Sequence, residues 1–326
     1  MSADGEPIRL RLAHASVAVF APSPVLTVTV ESNPTTGPEL HIHAGGQGFW
    51  IARMAAGLGA RVMLCVPLGG ESGTVLRTLL GGGGIDVRAV QTAGANAAYV
   101  HDRRSGERRR IVETPSPALR RHELDELYGI ATTAGLEAGT MLLAGPRRRG
   151  VLPPETYGRL ARDLRGNGAR VLADLSGEPL AAALEGGLDV LKMSDDQLRR
   201  EGLVSGADPG EAAAAARTLQ ARGAERVVIS RGAEPALALE DGRLLEVAGP
   251  RFDPVDPSGA GDSMFAALGV GLAAGLGFDE ALRLAAAAGA LNVTRHGLGS
   301  GRETDIEGLR DQVEVRELEA AGGEGR

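Results

Sequence analysis

The sequence predicts an α/β protein with a mainly parallel central sheet covered by helices and a small second β-sheet beside it. From about residue 140 onward, short apolar runs alternate with longer helical patterns, which is the order typical of a parallel sheet. Turns that contain glycine or polar residues separate these segments. In the first third, several short segments alternate apolar and polar residues, which is typical of a small antiparallel sheet.

Length and composition favour a soluble globular protein with one large domain or two small ones. The chain has 326 residues, of which 43% are apolar and 24% are charged. Aromatic residues make up only 3%, so the core must consist mainly of Ala, Leu, Val and Ile. The net charge of −7 argues against nucleic acid or an anionic membrane as the main partner.

The cysteine content and the N-terminus point to a cytoplasmic location. The single cysteine, Cys65, excludes an intrachain disulfide and a cysteine-based zinc site, and its apolar neighbours predict that it is buried. The first residues lack the basic and apolar regions of a signal peptide. No apolar run reaches the roughly 20 residues that span a bilayer. We therefore expect a cytoplasmic protein without a membrane partner.

The first third of the chain is predicted to combine strands of the main sheet with a lid. Val17–Phe20 and Val62–Leu68 are predicted strands of the main sheet, and residues 46–58 and 71–80 are predicted helices. Five further segments are predicted strands of a small lid sheet, with a solvated extension of the main sheet as the alternative. These segments are Thr27–Glu31, Glu39–His43, Val87–Val90, Ala97–His101 and Arg110–Glu113.

The rest of the chain supplies the alternating elements. Four apolar runs are predicted buried strands, namely Thr140–Ala144, Val171–Asp174, Val190–Lys192 and Val227–Ser230. Between and after them, helices are predicted near residues 154–166, 178–186, 194–201 and 210–222. Residues 1–12 and 316–326 are expected to be flexible.

A glycine-containing loop before a helix carries the clearest chemical signal. Asp256-Pro-Ser-Gly-Ala-Gly-Asp-Ser263 follows the predicted strand and loop Leu244–Pro254 and precedes a small-residue helix that starts at Met264. The N–H groups of a first helical turn are unpaired, so they can bind an anion or stabilise charge on a transferring group. Asp262 would lie beside that anion, where it could accept a proton from a hydroxyl. Taken alone, such a loop could also be an ordinary helix start.

Several segments resemble the signatures of the PfkB (ribokinase-like) carbohydrate kinases. Residues 254–301, which begin Pro-Val-Asp-Pro-Ser-Gly-Ala-Gly-Asp, resemble the C-terminal signature, and residues 44–73, which begin Ala-Gly-Gly-Gln-Gly, resemble the N-terminal one. The segments that begin at Asp174 and Leu191 resemble the central ones. The likeness is greatest to the phosphofructokinase-like branch.

This resemblance implies a fold and an activity. The fold would be a single three-layer α/β/α domain over residues 1–326, with lid strands at about 25–43 and 87–113. The activity would be ATP-dependent phosphoryl transfer to a hydroxyl of a carbohydrate or similar small alcohol, with ATP and Mg²⁺ as cofactors. A homodimer that pairs through the lid is a further expectation.

The resemblance also implies roles for individual residues. Asp262 matches the general base, and Gly259, Ala260 and Gly261 match the anion hole around the transferred phosphoryl group. The residues at nucleotide-binding positions are Lys192, Ser194, Gln197, Ser230, Gly232, Asp256, Ala286, Gly289 and Ala290. The residues expected at the acceptor are Thr27, Gly45, Gly46, Gln47, Phe49, Arg103 and Arg108. The sequence assigns no metal ligands.

The nucleotide side departs from the family at two positions. Ser194 and Gln197 occupy the Asn and Glu positions of the family segment Lys-Pro-Asn-x-x-Glu, so a group that helps to organise magnesium through water is neutral here. This departure motivates the alternative of a nucleotide-binding regulatory protein that has lost turnover. The intact loop from Gly259 to Asp262 favours an enzyme, because a binding module does not need the base.

The acceptor side departs further. Thr27 stands where an aspartate usually binds sugar hydroxyls, Gln47 replaces a lysine that would help to bind a substrate phosphate, and Phe49 replaces an asparagine. No arginine occupies the branch's phosphate-binding position near residues 94–98. Because an anionic sugar phosphate needs charge-assisted donors, these changes favour a neutral or aromatic acceptor. A phosphofructokinase that uses lid arginines instead remains the alternative.

In the N-terminal signature, we expect different roles for two of the glycines and for the two aromatic residues. Gly45 and Gly46 are expected to let acceptor hydroxyls approach the backbone at a helix start. Phe49 is expected to form a pocket wall, whereas Trp50, the only tryptophan, is expected to pack the helix against the sheet. Arg103 and Arg108 lie in a predicted lid hairpin, which is either a solvated hairpin or an anion clamp.

Overall fold

Strands and helices alternate along most of the chain in the computed structural model, which describes residues 8–106, 109–295 and 298–318. The strands are β1 (Ser16–Phe20), β2 (Val25–Asn33), β3 (Gly37–Gly45), β4 (Arg61–Gly69), β5 (Asp86–Thr92), β6 (Ala97–Asp102), β7 (Arg109–Thr114), β8 (Thr140–Ala144), β9 (Arg170–Asp174), β10 (Leu188–Ser194), β11 (Ala224–Arg231), β12 (Glu234–Glu240), β13 (Arg243–Ala248) and β14 (Glu314–Glu317). The helices are α1 (Ile8–His14), α2 (Gln47–Gly57), α3 (Gly70–Leu80), α4 (Arg121–Ala138), α5 (Glu155–Gly166), α6 (Gly177–Gly186), α7 (Asp195–Arg200), α8 (Pro209–Ala221), α9 (Ala260–Ala273), α10 (Phe278–Val293) and α11 (Glu303–Arg310).

The main sheet has ten strands in the order β14-β13-β12-β11-β10-β9-β8-β1-β4-β5. The seven strands from β11 to β5 pair in parallel, and β12 to β14 extend one edge in antiparallel fashion. The five residues of β8 are all buried, as expected for a strand covered on both faces. The mainly parallel sheet predicted from the sequence is confirmed.

Helices cover both faces of the main sheet. Successive residues of a strand point to opposite faces, so Val17 and Val19 of β1 pack with α1, α2, α9 and α10, whereas Ala18 and Phe20 pack with α4, α5 and α6. Each face therefore has its own hydrophobic core. The predicted three-layer α/β/α arrangement is confirmed.

A second sheet of four strands has the order β3-β2-β6-β7 and is called the lid sheet below. It contains four of the five predicted lid segments. The fifth, Val87–Val90, lies instead in β5, which pairs in parallel with β4 at the edge of the main sheet. A strand at the edge of a sheet is only partly covered by neighbouring elements, so its apolar and polar residues alternate as they do in a lid strand.

Both chain ends are more structured than the sequence suggests. Residues 8–12 belong to α1, where Leu12 is buried and Arg11 donates to the carbonyl of Gly275 over 2.6 Å. Residues 316–317 belong to β14, which pairs with β13. The expected flexibility is therefore wrong for these residues, and residues 1–7 and 319–326 lie outside the described part of the chain.

Cys65 lies in β4 and is fully buried, as predicted. Burial raises the pKa of its thiol to about 12. In the described part of the chain, the helices lack the combination of length and apolar character needed to cross a membrane.

Candidate active site

Two predicted site residues, Lys192 and Ser194, lie where the parallel strands of the main sheet end, beside Asp174 and Gly145, which the sequence does not single out as site residues. Asp174 is the last residue of β9, Lys192 and Ser194 lie at the end of β10, and Gly145 directly follows β8. Because the carboxyl ends of parallel strands meet at one edge, these residues line a common crevice. The start of α9 lies against the same crevice.

A buried ion pair forms the centre of the site. Lys192 Nζ donates to Asp174 Oδ2 over 2.8 Å, and the side chains are only 4% and 3% exposed. The other carboxylate oxygen, Oδ1, accepts from Gln197 Nε2 over 2.9 Å. Both oxygens of Asp174 therefore have a donor, which is the condition under which a buried carboxylate is tolerated.

Ser194 and Gln197 cap the short helix α7. The N–H of Gln197 donates to Ser194 Oγ over 3.2 Å, and the N–H of Ser194 donates to Gln197 Oε1 over 2.6 Å. Gln197 thus uses its oxygen for the cap and its amide N–H₂ for Asp174. A glutamate at this position would place a second carboxylate against Asp174, so the amide suits the arrangement of this chain.

The glycine-containing loop ends at the start of α9, as predicted. Gly259 has a φ of 75°, in the left-handed region that favours glycine, and the helix begins at Ala260. A Cβ at Gly261 would lie 2.7 Å from Lys192 Nζ, so the ammonium group packs directly against the first turn of α9. Unpaired N–H groups and a cation therefore face the same point, which is an arrangement that binds anions.

Asp262 lies in this first turn and is only partly exposed. Burial, together with the neighbouring charge of Asp174, raises the pKa of its carboxyl to about 7. The positive charge of Lys192 and a hydrogen bond from the Gln47 side chain oppose this rise. The carboxyl can therefore exchange a proton near neutral pH.

Gln47, the first residue of α2, connects three parts of the crevice. Its Oε1 accepts from the N–H of Gly145 over 2.9 Å, its Nε2 lies 3.4 Å from the carbonyl oxygen of Asp174, and the side chain reaches Asp262. The sequence predicts it as an acceptor ligand. The structure places it beside Asp262 and the ends of β8 and β9, while its contact with an acceptor stays a prediction.

The glycines before α2 are explained by close packing of the backbone. Gly46 has a φ of 102°, and a Cβ there would lie 2.7 Å from the carbonyl oxygen of Ser23. A Cβ at Gly45 would lie 3.2 Å from Oγ1 of Thr27, which is buried. The structure therefore brings Thr27, Gly45 and Gly46 together, while contact of these residues with an acceptor stays a prediction.

Of the two aromatic residues of α2, Phe49 is buried in the core instead of lining a pocket, whereas Trp50 packs against the same core as expected but is also partly exposed. Phe49 is 9% exposed and belongs to the core on that face of the sheet. Trp50 is partly exposed, and its Cζ2 would lie 3.5 Å from a Cβ at Gly45. Trp50, rather than Phe49, thus faces the predicted acceptor side.

Comparison with known proteins identifies the family. Residues 20–305 match the model of the pfkB family of carbohydrate kinases. The chain belongs to this family. It is 31% identical over 274 residues to the ATP-dependent 6-phosphofructokinase isozyme 2 of Mycobacterium tuberculosis, which covers 81% of this chain and 78% of that relative.

Solved structures agree with this membership. Phosphofructokinase-2 from Escherichia coli in complex with potassium has a TM-score of 0.80 and 26% identity, over 91% of this chain and 99% of that one. Ribokinase from Arabidopsis thaliana, complexed with ribose and ATP, has a TM-score of 0.73 at 20% identity, over 91% of this chain and 99% of that one, and shows the shared fold. The ribokinase-like fold predicted for this kinase is confirmed.

Three residues of α10 are predicted to bind the nucleotide in this pfkB-family kinase, and one of them packs against the start of α9. A Cβ at Gly289 of α10 would lie 3.3 Å from the carbonyl oxygen of Ala260, and Ala286, one turn earlier, faces Gly249 in the loop after β13. Ala290 is partly exposed on the same helix. The structure thus places this stretch of α10 beside the turn from Gly259 to Gly261, while contact with a nucleotide stays a prediction.

The remaining predicted positions are more dispersed. Ser230 lies near the end of β11 with its Oγ 3.5 Å from the carbonyl oxygen of Met193, and Gly232 lies just after the strand in an exposed turn with a φ of 62°. Asp256 Oδ1 accepts from the N–H of Ser258 over 2.9 Å and so shapes the loop. Arg103 pairs with Glu31 of β2 at 3.5 Å on the exposed lid. Arg108 lies outside the described residues.

Sequence reasoning missed Asn292 of α10, which is fully buried. Its Nδ2 donates to the carbonyl of Ser258 over 2.7 Å, and its Oδ1 accepts from Ser263 Oγ over 3.1 Å and from the N–H of Gly299 over 2.9 Å. Asn292 therefore holds both ends of the anion-binding turn and a second loop together. The only sign of this role in the sequence is an amide side chain in a helix that is otherwise rich in Ala and Leu.

The shifted pKa of Asp262 predicts a pH dependence with opposite signs for rate and stability. Acceptor-dependent kcat/KM should rise with pH through about 7, because only the carboxylate accepts a proton. The charged form is disfavoured in the folded protein, so this group's contribution to stability is present at low pH and is lost as the pH rises from 3.8 to about 7. Rate profiles and denaturant unfolding across this range measure both effects. Asp262→Asn should flatten both, and a wild-type rate that stays constant through neutrality would contradict the prediction.

Proposed function

We propose that this kinase transfers the γ-phosphoryl group of ATP to a hydroxyl of a carbohydrate or similar small alcohol. The supporting observation is that Asp262, the Lys192 ammonium group and the N–H groups from Gly259 to Gly261 converge at the start of α9. Such a group of a base, a cation and backbone donors suits phosphoryl transfer, which depends mainly on positioning and charge stabilisation.

In the proposed step, Asp262 accepts the proton of the attacking hydroxyl. The hydroxyl oxygen forms a bond to the γ-phosphorus while the bond from phosphorus to the bridging oxygen breaks, and ADP leaves. The N–H groups of Gly259, Ala260 and Gly261 and the adjacent Lys192 stabilise the negative charge of the transferring group. The raised pKa of Asp262 matches the work of a base near neutral pH.

The residues around α9 fit an anionic nucleotide. The Lys192 ammonium group lies close to Gly261, which has no Cβ. A cation and backbone donors therefore lie together at the point where the phosphates would bind. Among the described residues, His, Cys, Asp and Glu side chains do not gather in threes to hold a metal ion by themselves. Magnesium would enter this site together with the phosphates of ATP at the start of α9, and it would neutralise part of their negative charge.

The alternative of a regulatory protein without turnover rests on Ser194 and Gln197. Both side chains form hydrogen bonds in the cap of α7, and Gln197 also donates to Asp174. Ser194 and Gln197 in place of the family's Asn and Glu therefore still hold this part of the site in a defined arrangement. The retained base favours turnover.

A sugar phosphate as the acceptor is the second candidate, and Arg147 favours it. Its guanidinium group lies 4.5 Å from the centre of the Tyr99 ring, and its backbone N–H donates to Ser23 Oγ over 3.3 Å. Arg148 lies beside it and pairs with Glu113 at 2.8 Å. These arginines follow β8 rather than lying in the lid hairpin, so they could replace the missing charge-assisted donors.

A screen for ATP consumption tests the proposed function. Wild-type protein and Asp262→Asn are assayed with magnesium against sugars, sugar phosphates, nucleosides and polyols. We expect at least one acceptor to stimulate ADP formation by the wild type only. If ATP binds but no acceptor raises turnover above that of Asp262→Asn, the regulatory alternative replaces the kinase.

We also propose that the outer face of the lid sheet pairs two chains. Ile42, Val28, Val100 and Val112 form one row across all four strands, and Ile42 and Val112 are 48% and 47% exposed. Exposed apolar patches of this kind mark interaction surfaces. Ile42→Glu should therefore give a monomer by sedimentation velocity, whereas Leu136→Glu, at an exposed position on α4, should leave a dimer. A monomeric wild type would contradict the proposal.

A further inference from the structure

Trp50 lies on the acceptor side of α2 and has no role in the proposed transfer. Its indole borders Gly45, and the same Gly45 position borders Thr27 Oγ1, so ring and hydroxyl share one wall. Building on the proposed function, we propose that Trp50 forms the floor against which a C–H face of the acceptor packs, and so selects acceptors that present such a face.

The position of Trp50 relative to the base supports this assignment. Gln47 and Trp50 are three residues apart on α2 and therefore share a helix face. Gln47 reaches Asp262, and α2 packs against α9. An acceptor whose hydroxyl approaches Asp262 from the Gln47 side would thus have its carbon skeleton beside the indole.

The backbone of Trp50 is linked to the Gly259–Gly261 turn through the loop at Gly299 and the side chain of Asn292. A Cβ at Gly299 would lie 2.6 Å from the carbonyl oxygen of Trp50, which is too close for a side chain. The backbone at Gly299 therefore packs directly against the backbone of α2. The N–H of Gly299 also donates to Asn292, which in turn holds Ser258. The backbone that carries the indole is therefore packed against a loop that Asn292 joins to the turn before α9.

The chemistry of the indole suits a polyhydroxylated ring. One side is supported by Phe49, whose ring centre lies 5.0 Å away at an angle of 52°. An aromatic face is negative and attracts C–H groups that carry a small positive charge, while the indole N–H can donate to a hydroxyl. Within the described chain, no hydrogen bond of this N–H to another residue is found. Cyclic sugars should therefore bind better than short open-chain polyols such as glycerol.

The test combines kinetics with the emission of the only tryptophan. Trp50→Leu should raise the acceptor KM by about tenfold or more and change the ATP KM by less than about twofold. Trp50→Phe should recover most of the loss. Ile51→Val, a buried change in the same helix turn, controls for effects on packing. In the wild type, saturating fructose, fructose 6-phosphate or ribose, whichever supports turnover, should shift or quench the emission.

The outcomes separate this inference from the proposed function. If Trp50→Leu turns over with an unchanged acceptor KM, the role of Trp50 is wrong but the proposed kinase function stands. The same conclusion follows if the wild type turns over but its emission does not change at saturating acceptor. Absence of turnover with every acceptor overturns the proposed function, while an emission change on adding a sugar still supports the floor. Absence of both overturns both.

Discussion

Asp262→Asn should lower acceptor-dependent kcat by about 10²- to 10⁴-fold while ATP still binds. The change keeps the size of the side chain but removes the proton acceptor at the start of α9. The neighbouring carboxylate, Asp174, is paired with Lys192 and Gln197, so it is not available to replace this base. Steady-state assays of ADP formation, together with calorimetric titration of ATP, measure the two properties separately.

A carboxylate from the same loop provides the control for Asp262. Asp253 is exposed before the anion-binding turn, so Asp253→Asn should keep kcat within about twofold of the wild type. If Asp262→Asn instead retained more than about a tenth of the activity, another base would have to be sought.

Lys192→Met should both destabilise the protein and abolish turnover. The substitution leaves the buried Asp174 carboxylate without its cation, which typically costs about 3–5 kcal/mol. It also removes the charge that lowers the pKa of Asp262 and the cation beside Gly261. Denaturant unfolding measures the free energy, and the ADP assay measures the rate.

Two further variants distinguish stability from catalysis at this ion pair. The double change Lys192→Met with Asp174→Asn removes the unpaired charge, so it should recover much of the stability but remain inactive. Arg243→Met removes an arginine that is 42% exposed and pairs with Glu317 at 3.0 Å, so it should cost at most about 1 kcal/mol. Normal turnover in Lys192→Met would contradict the role of the cation.

Strands buried on both faces could be predicted from the sequence because they are continuous apolar runs. The bounds of β8, Thr140–Ala144, are those predicted. The sequence predicts a lid strand at Val87–Val90, which is wrong because an edge strand of the main sheet has the same local alternation of apolar and polar residues. The helix at residues 8–14 and strand β14 depend on contacts with α9 and β13, which leave little local pattern.

The site shows a similar division. The motif from Gly259 to Asp262 and the position of Lys192 could be predicted, since spacing relative to a strand or helix end defines them. The burial of Phe49 and the partial exposure of Trp50 could not, because adjacent helix residues differ by about 100° and packing sets the rotation of α2. The links from Gln47 to Gly145 and Asp174 join residues far apart in the chain.

The most direct measurement is mass spectrometry of the acceptor after incubation with magnesium and ATP. The proposed function predicts that the acceptor gains one phosphoryl group, in equal amount to the ADP formed, in the wild type and not in Asp262→Asn. ADP formed together with free phosphate and an unmodified acceptor, or equally well without any acceptor, would contradict transfer to a hydroxyl at Asp262.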